Sequence, residues 1–388
     1  MSRERAILPP ILMIVFVDTL GYAAVVPLIP LVLSGQGAPL LAVGTVFAAF
    51  SLCQLLTAPL LGRLSDRIGR RPVLALSLTG SVAGFALLAL SSAFPVVLLS
   101  RIIDGCSAGN VAMCYAAVLD SDSEDKRRRG IPALGAAAGA GIVAGLGLSA
   151  FLAGFGFRAV ALAAMLLSLL SLALTLIAVP ETRHGTSPGL KISAALRIWK
   201  VRRAVVFVAL CAALQAAFLL TLPVYFANAL GLRVQATTAL IAFIVVVAAA
   251  FQVVALPRLL DRVGMTATAG LVLAVTLCAA AFVGMIASGA AAMVVLSAAV
   301  LTIAATALAP ISTLLLAESF LDAPSGVAMG LNTSFATAGQ IVGPLIGYAA
   351  FASGGSQALG LSCVALALCC AVTLGMGTWL KIERAPSR

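Results

Sequence analysis

The chain has 388 residues, of which 62% are hydrophobic and 10% are charged. Soluble domains are about 45–50% apolar, and a water-soluble fold of this length could not bury so large an excess of apolar surface. The composition therefore excludes a soluble enzyme or a soluble binding domain, and it predicts an all-α membrane protein. The net charge of +11 describes the loops of such a protein and does not indicate a nucleic-acid partner.

Charged and turn residues divide the sequence into twelve apolar segments, each long enough to cross a bilayer. Two stretches without charge are too long for one helix, and turns at Ser288-Gly289 and at Gly354-Gly355-Ser356 make each of them a predicted hairpin. The twelve segments are predicted near residues 8–33, 40–61, 73–92, 95–119, 131–153, 158–179, 204–228, 236–257, 266–287, 290–317, 326–352 and 358–380.

The distribution of basic residues predicts the orientation of these segments. If the N-terminus lies inside the cell, 21 of the 24 Lys and Arg residues fall on cytoplasmic segments. The exceptions are Arg158 and Arg233 on the outer side and Arg101 within the fourth segment. The positive-inside rule therefore predicts that both termini are cytoplasmic. The expected location is the inner or plasma membrane of the cell.

The longest polar stretch, Pro180 to Arg203, predicts the boundary between two bundles of six helices. The expected domains are residues 1–180 and 204–388, joined by a cytoplasmic linker at 181–203. Basic residues around Trp199 are consistent with a short helix lying on the inner leaflet. They are equally consistent with a solvated linker.

A charged stretch, Gly62–Arg71, separates the second and third segments and predicts a tight loop between two membrane helices. Five of its ten residues are ionised. Part of the stretch recurs 195 residues later, and a repeat at half the chain length indicates two similar halves. The recurring residues are Arg63, Leu64, Asp66, Arg67 and Gly69, with Arg258, Leu259, Asp261, Arg262 and Gly264 as their counterparts.

The loop between helices 2 and 3 of the major facilitator superfamily carries a signature that resembles this stretch. An ordinary positive-inside loop would account for the arginines, but not for Asp66, the glycines or the repeat. The residues that carry the resemblance are Gly62, Leu64, Asp66, Arg67, Gly69, Arg70 and Arg71.

The resemblance implies a major facilitator fold of twelve helices in two pseudo-symmetric bundles. It implies that helices 1, 4, 7 and 10 line a central cavity, and that rocking of the halves gives alternating access. It also implies a conformational latch, in which Asp66 lies against the N-terminal end of helix 11. The implied latch residues are Gly62, Asp66, Arg67, Gly69 and Arg70, with Asp261 and Arg262 as a weaker second copy.

Charged side chains inside apolar segments are costly, so those present are candidates for function. Asp18 lies roughly 15 Å from the cytoplasmic end of the first segment. Arg101 and Asp104 are three residues apart in the fourth segment and therefore share one helix face. Two structural roles stay open, an ion pair that lets the fourth helix pack and a helix–helix hydrogen bond of Asp18.

The sequences around these charges resemble the drug/proton antiporters, tetracycline exporters among them. The similar stretches are Asp18–Gly21 in the first segment and Arg101–Gly105 in the fourth. The resemblance implies that Asp18, Arg101 and Asp104 couple transport to protons. We expect Asp18 to pair towards Arg101 when it is ionised and to release it when it is protonated.

A row of glycines in the fifth segment partly matches the antiporter signature. Gly141 and Gly145 keep the four-residue spacing that lets another helix approach closely. Leu146 stands where the signature has proline, whereas the eleventh segment has Gly343 and Pro344 at the equivalent place. Generic helix packing would account equally well for such glycines.

The second half has no charged residue deep in a predicted helix. The first half is therefore expected to handle protons, and the second half to supply binding surface. One histidine in 388 residues, and cysteines without the spacing of metal ligands, give no indication of a metal site. The candidate residues of a substrate cavity are Tyr22, Asn110, Gln215, Tyr225, Asn332 and Gln340.

The predicted function is proton-coupled antiport that exports small lipophilic neutral or cationic compounds. The alternative is a proton-linked or facilitative importer of a small metabolite. No enzyme activity and no cofactor are expected, since the proton gradient would supply the driving force. The expected partners are the small-molecule substrate and the lipid bilayer, and the chain is expected to function as a monomer.

Overall fold

The computed structural model describes residues 8–119, 124–180, 199–285, 291–318 and 325–382. Within these ranges the chain is α-helical apart from short turns, one 3-10 segment and one π segment. It forms two compact units, Met1–Ser187 with Gly231–Ala242 and Pro188–Leu230 with Phe243–Arg388. The domain limits at 180 and 204 stay a prediction, because most of the linker lies outside the described residues.

The first half of the chain contains eight α-helices in its described residues. Two predicted spans are each broken into two helices, the first at Val26-Pro27 and the fourth at Ser107–Gly109. Pro27 accounts for the first break because proline cannot donate a helical hydrogen bond. The helices are α1 (Leu8–Val25), α2 (Leu28–Gly35), α3 (Leu40–Ile68), α4 (Arg70–Leu90), α5 (Phe94–Cys106), α6 (Asn110–Leu119), α7 (Glu124–Leu152) and α8 (Phe157–Ala178).

Seven further helices follow the linker in the described part of the chain. The first of them begins at Trp199, inside the stretch that was predicted to be linker. A π segment, Phe251–Ala255, precedes Pro257, which removes one helical donor there. The helices are α9 (Trp199–Leu219), α10 (Leu222–Leu230), α11 (Val234–Ala250), α12 (Leu256–Val263), α13 (Met265–Met285), α14 (Ala291–Glu318) and α15 (Ser325–Ile382).

Ten helical stretches in the described ranges are long and apolar enough to cross a membrane. The longest, Gly330–Gly375, contains the predicted turn, where Gly354 and Gly355 leave helical geometry, with φ of 60° at Gly355. The apolar part of α13, Thr268–Ala281, is shorter. The protein is therefore an integral membrane protein with an all-α fold. The count of twelve stays a prediction, since it requires α15 to cross twice and α13 to cross once.

The predicted loop at Gly62–Arg71 is wrong in its extent. Helix α3 continues to Ile68 and α4 begins at Arg70, so that Gly69 alone, with φ of 106°, makes the turn. The charges mark the end of the apolar stretch and not the end of the helix, because a helix can continue into water. The repeat has the same geometry, since Gly264 follows α12 with φ of 84°. A positive φ is a conformation that glycine adopts without strain.

Close helix packing at glycine appears at matching places in the two halves. A Cβ added to Gly141 or Gly145 of α7 would clash with the backbone of α1, at the carbonyls of Phe16 and Leu20. A Cβ added to any of three glycines of α15 would likewise clash with a backbone carbonyl of α9. At these glycines another helix approaches closely, and their part in an antiporter motif stays a prediction. The pairs on α15 and α9 are Gly339 with Ala209, Gly343 with Ala213, and Gly347 with Ala217.

The substitution Gly145→Ala is expected to destabilise the protein by about 1–3 kcal/mol, because extra atoms in a packed interface force the helices apart. Gly147→Ala is the matched control, since a Cβ at Gly147 would have nothing within 4 Å. Alanine favours helix over glycine by about 1 kcal/mol, so this control should be neutral or slightly stabilised. Thermal unfolding of the purified variants in detergent measures both. An equal loss at the two positions would contradict the packing role of Gly145.

Candidate functional site

The site begins where α4 and α5 approach each other closely. Gly84 of α4 makes this possible, because a Cβ there would lie 3.2 Å from both the Cβ of Asp104 and the carbonyl of Ser100. Arg101 and Asp104 lie one turn apart on α5, as their spacing predicts. Both are buried, with 1% and 4% of their surface exposed.

Arg101 and Asp104 form a buried ion pair, with 3.0 Å between Nη1 of the arginine and Oδ2 of the aspartate. Nη2 of Arg101 also donates a hydrogen bond to Oγ of Ser100 at 3.2 Å. The guanidinium carbon lies 5.3 Å from the centre of the Phe85 ring, over its face, where the ring quadrupole attracts a cation. Several groups of α4 and α5 thus hold the arginine in place.

Asp18 of α1 is partly buried and is held by a different partner. Nδ2 of Asn110 donates a hydrogen bond to Oδ1 of Asp18 at 3.0 Å, and it also lies 3.3 Å from Oγ of Ser81 on α4. Asn110 is the first residue of α6 and is 6% exposed. Helices α1, α4 and α6 therefore meet at the side-chain amide of Asn110.

The expected pairing of Asp18 towards Arg101 is not the arrangement in this structure. The ion-pair partner of Arg101 is Asp104, one turn along the same helix, and the hydrogen-bond partner of Asp18 is Asn110. Proximity along the helix accounts for the difference, since an i,i+3 pair meets without any helix movement. With all three groups ionised the site carries one net negative charge.

The predicted cavity residues occupy different environments. Tyr22 packs on Phe50 with ring centres 5.6 Å apart, and Gln215 is partly buried on α9.

Tyr225 is 1% exposed and contacts Phe351 edge to face, so it lies in the core of its own unit. Oδ1 of Asn332 accepts a hydrogen bond from Thr313 at 3.4 Å. Gln340 is exposed on α15. A role in a shared substrate cavity stays a prediction for each of them.

The predicted latch residues surround the turn at Gly69. Nη1 of Arg70 donates to Oδ1 of Asp66 at 2.7 Å and to Oγ of Ser65 at 3.1 Å. Gly62 and Arg67 lie in the last two turns of α3. The second copy differs, because Met265 stands where the first copy has Arg70.

The substitution Asp66→Asn is expected to reduce transport while leaving thermal stability nearly unchanged. The Asp66 side chain is 39% exposed, and exposed ion pairs contribute only about 0–1 kcal/mol to stability. Asp261→Asn is the matched control in the second copy, and it should reduce transport less. The measurement is whole-cell transport at equal expression. Full activity of Asp66→Asn, or a larger loss with Asp261→Asn, would contradict the ranking of the two latch copies.

Sequence reasoning missed two residues of the site, Ser81 and Phe85 on α4. They are 3% and 2% exposed and contact Asn110 and Arg101, respectively. Ser81 lies four residues after Ser77, and Gly80 and Gly84 accompany them. A row of small and polar residues at helical spacing is the signal that could have placed this face of α4 against another helix.

Comparisons with known proteins agree with the fold. The Major Facilitator Superfamily profile matches residues 11–286. The tetracycline resistance protein, class G, of Vibrio anguillarum is 33% identical over 187 residues, which are 47% of this chain and 47% of that protein. Major facilitator superfamily domain-containing protein 10 of Bos taurus is 45% identical over 109 residues, which are 28% of this chain and 24% of that protein. The chain thus matches about half the length of these relatives, or less.

Solved structures share the fold along nearly the whole chain. The human organic anion transporter MFSD10 (TETRAN) superposes with a TM-score of 0.70 at 22% identity, covering 96% of this chain and 100% of that one. A bacterial homolog to the human lysosomal transporter Spinster superposes with a TM-score of 0.74 at 14% identity, covering 97% and 96%. Since the family profile covers well over half of the sequence, the chain belongs to the Major Facilitator Superfamily, a family of membrane transporters and not of enzymes.

Proposed function

We propose that the protein is a proton-coupled antiporter that exports small lipophilic neutral or cationic compounds. The observation that carries this proposal is Asp18, a partly buried carboxylate in a membrane helix that is hydrogen-bonded to Asn110 and not ion-paired with Arg101. Burial disfavours the charged form of such a group, and the amide donor favours it. A carboxylate under these opposing influences is suited to exchange a proton when its exposure changes.

The charge balance of the site supports exchange of one positive charge at a time. Asp18 and Asp104 are the only carboxylates within the predicted spans of the first half. The predicted spans of the second half contain no carboxylate. Asp104 is neutralised by Arg101 at 3.0 Å. Asp18 therefore provides one negative charge, which a proton or a singly charged cation would balance.

The proposed substrate class follows from this charge and from the relatives. A site with one net negative charge favours cations and neutral compounds over anions, for which unpaired Arg or Lys side chains would be expected. Several of the matched relatives are tetracycline resistance proteins, among them class E of Escherichia coli at 37% identity over 137 residues. By analogy with their names we infer that this protein confers drug resistance of the same kind.

A second candidate is a proton-linked or facilitative importer of a small metabolite. Its support is the fold that the chain shares with the organic anion transporter MFSD10 and the nucleoside transporter NupG. Those likenesses are at 22% and 14% identity and carry the fold alone. Both candidates use Asp18, and they differ in the direction of net flux.

The proposal includes the transport cycle and the placement of the chain. Rocking of two bundles would open the substrate site to each side of the membrane in turn, with the Asp66 region as a latch on the cytoplasmic side. Both termini would be cytoplasmic in the inner or plasma membrane. The chain would work as a monomer, driven by the proton gradient and without a cofactor.

The experiment that tests the function measures the accumulation of a panel of compounds in cells with and without the protein. The panel contains ethidium as a lipophilic cation, tetracycline, and a nucleoside, each with and without a protonophore. Export predicts lower accumulation of ethidium or tetracycline in expressing cells, and restoration of accumulation by the protonophore. Raised accumulation of the nucleoside, with no effect on the drugs, would instead establish the importer.

A further inference from the structure

The fourth predicted span is broken at a position that bears on Asp18. Helix α5 ends at Cys106, the N–H of Gly109 bonds the carbonyl of Ser107 at 2.7 Å, and α6 begins at Asn110. A Cβ at Gly109 would lie 3.0 Å from Cδ1 of Leu61, so a larger residue at this turn would displace that side chain. The break places Asn110 at the start of a ten-residue helix, where the dipole favours a nearby negative charge.

The side chain of Asn110 uses only one end of its amide. Its Nδ2 donates to Oδ1 of Asp18 at 3.0 Å and lies 3.3 Å from Oγ of Ser81. Its Oδ1 is buried and has no hydrogen-bond partner among the residues that the structure describes. A buried acceptor without a partner is costly. It therefore points to a second arrangement in which that oxygen is used.

We propose that Asn110 is the positioning residue that holds Asp18 in both of its protonation states. This inference rests on the proposed proton-coupling function. A side-chain amide has a donor at one end and an acceptor at the other. When Asp18 is ionised, Nδ2 of Asn110 donates to it, as in this structure. When Asp18 takes up a proton from water, a half-turn of the amide brings Oδ1 to accept the new O–H, and the loss of that proton reverses the turn.

In the described part of the chain, Asn110 is the one side chain that is hydrogen-bonded to the Asp18 carboxylate. Arg101 and Asp104 on α5 are paired with each other. Cys114 on α6 and Tyr22 on α1 are two further titratable groups that interact with this cluster. Helices α7 and α8 also pack on α1. The last charged residue of α7 is Arg129, and the charged residue of α8 is Arg158. Asn110 is therefore the amide that this cluster provides.

Infrared difference spectroscopy of the purified protein tests the inference without a transported substrate. The carbonyl stretch of a protonated carboxyl group appears as the pH is lowered, and the band that is absent in Asp18→Asn belongs to Asp18. In Asn110→Ala this band is expected at higher frequency, because the carboxyl group has lost its hydrogen-bond partner. Ser81→Ala should shift the band in the same direction by less, since Ser81 orients the amide.

Ser77→Ala is the matched control, one turn from Ser81 on α4, because the hydroxyl of Ser77 has no hydrogen-bond partner in the described part of the chain. Its band should stay at the wild-type frequency. If Asn110→Ala does not give folded protein, Ser81→Ala against Ser77→Ala decides the matter. An unshifted band in the folded Asn110→Ala variant, or in Ser81→Ala when that variant decides, would overturn the inference. Absence of an Asp18 band in wild-type protein would instead count against the proposed proton-coupling function.

Discussion

Replacing Asp18 with asparagine is expected to abolish gradient-driven transport and to leave a folded protein. Asparagine has the shape of aspartate and can still bond the amide of Asn110, which lies 3.0 Å from the carboxylate in the wild-type protein. It cannot take up or release a proton at neutral pH. Proteoliposomes with an acidic interior measure the effect, as the accumulation of ethidium against its gradient. The initial rate of gradient-driven uptake should fall by on the order of 100-fold or more, which is the scale on which a positioned proton-transfer group contributes to a rate.

Two further measurements separate coupling from folding for Asp18. Asp18→Glu keeps a carboxyl group and should retain partial accumulation. Exchange of labelled for unlabelled ethidium across the membrane without a pH gradient should persist in Asp18→Asn, because this exchange needs binding and movement but no net proton transfer. Gradient-driven accumulation in Asp18→Asn would remove Asp18 from the mechanism.

The substitution Arg101→Leu is expected to cause the largest loss of stability of any single change in the site. It leaves Asp104, which is 4% exposed, without the cation that lies 3.0 Å away. Removing one partner of a buried ion pair costs about 3–5 kcal/mol, because the remaining charge is then uncompensated. Thermal unfolding in detergent, followed by the loss of monodisperse protein, measures the change.

The double variant Arg101→Leu/Asp104→Asn provides the control for this prediction. It removes both charges, so it should be more stable than Arg101→Leu alone. In other proteins, replacing both partners of a buried ion pair costs less stability than removing one of them. If the double variant is as unstable as the single one, the loss arises from the packing of Arg101 on Phe85 and not from the uncompensated charge of Asp104.

The broad fold could be predicted from the sequence because hydropathy and helix length are linked. A helix needs about 20 apolar residues to cross a bilayer, and the long apolar segments correspond to helices such as α4 and α8. The turn at Gly354-Gly355 was also predicted, because two glycines interrupt a stretch too long for one span. The spacing of Arg101 and Asp104 placed both on one helix face, where they form an ion pair.

Helix ends and side-chain partners could not be predicted in the same way. Hydropathy reports the apolar part of a helix, so it placed the end of α3 near residue 61 although the helix continues to Ile68. The partner of Asp18 is 92 residues away on α6, and its identity depends on how α1, α4 and α6 pack. At the break before Asn110, Gly109 lies near Leu61 of α3, and a Cβ added to Gly109 would make a contact of 3.0 Å with Cδ1 of that leucine. No local pattern in the sequence contains that contact.

Proton movement itself tests the central proposal most directly. Proteoliposomes containing the wild-type protein, an acidic interior and an internal pH indicator are mixed with external ethidium. If one proton leaves for each singly charged ethidium that enters, the interior should become less acidic as ethidium accumulates. The rate of ethidium entry should be insensitive to membrane potential. The Asp18→Asn protein should show neither the accumulation of ethidium nor the change of internal pH. Entry of ethidium with no change of internal pH would contradict proton-coupled antiport.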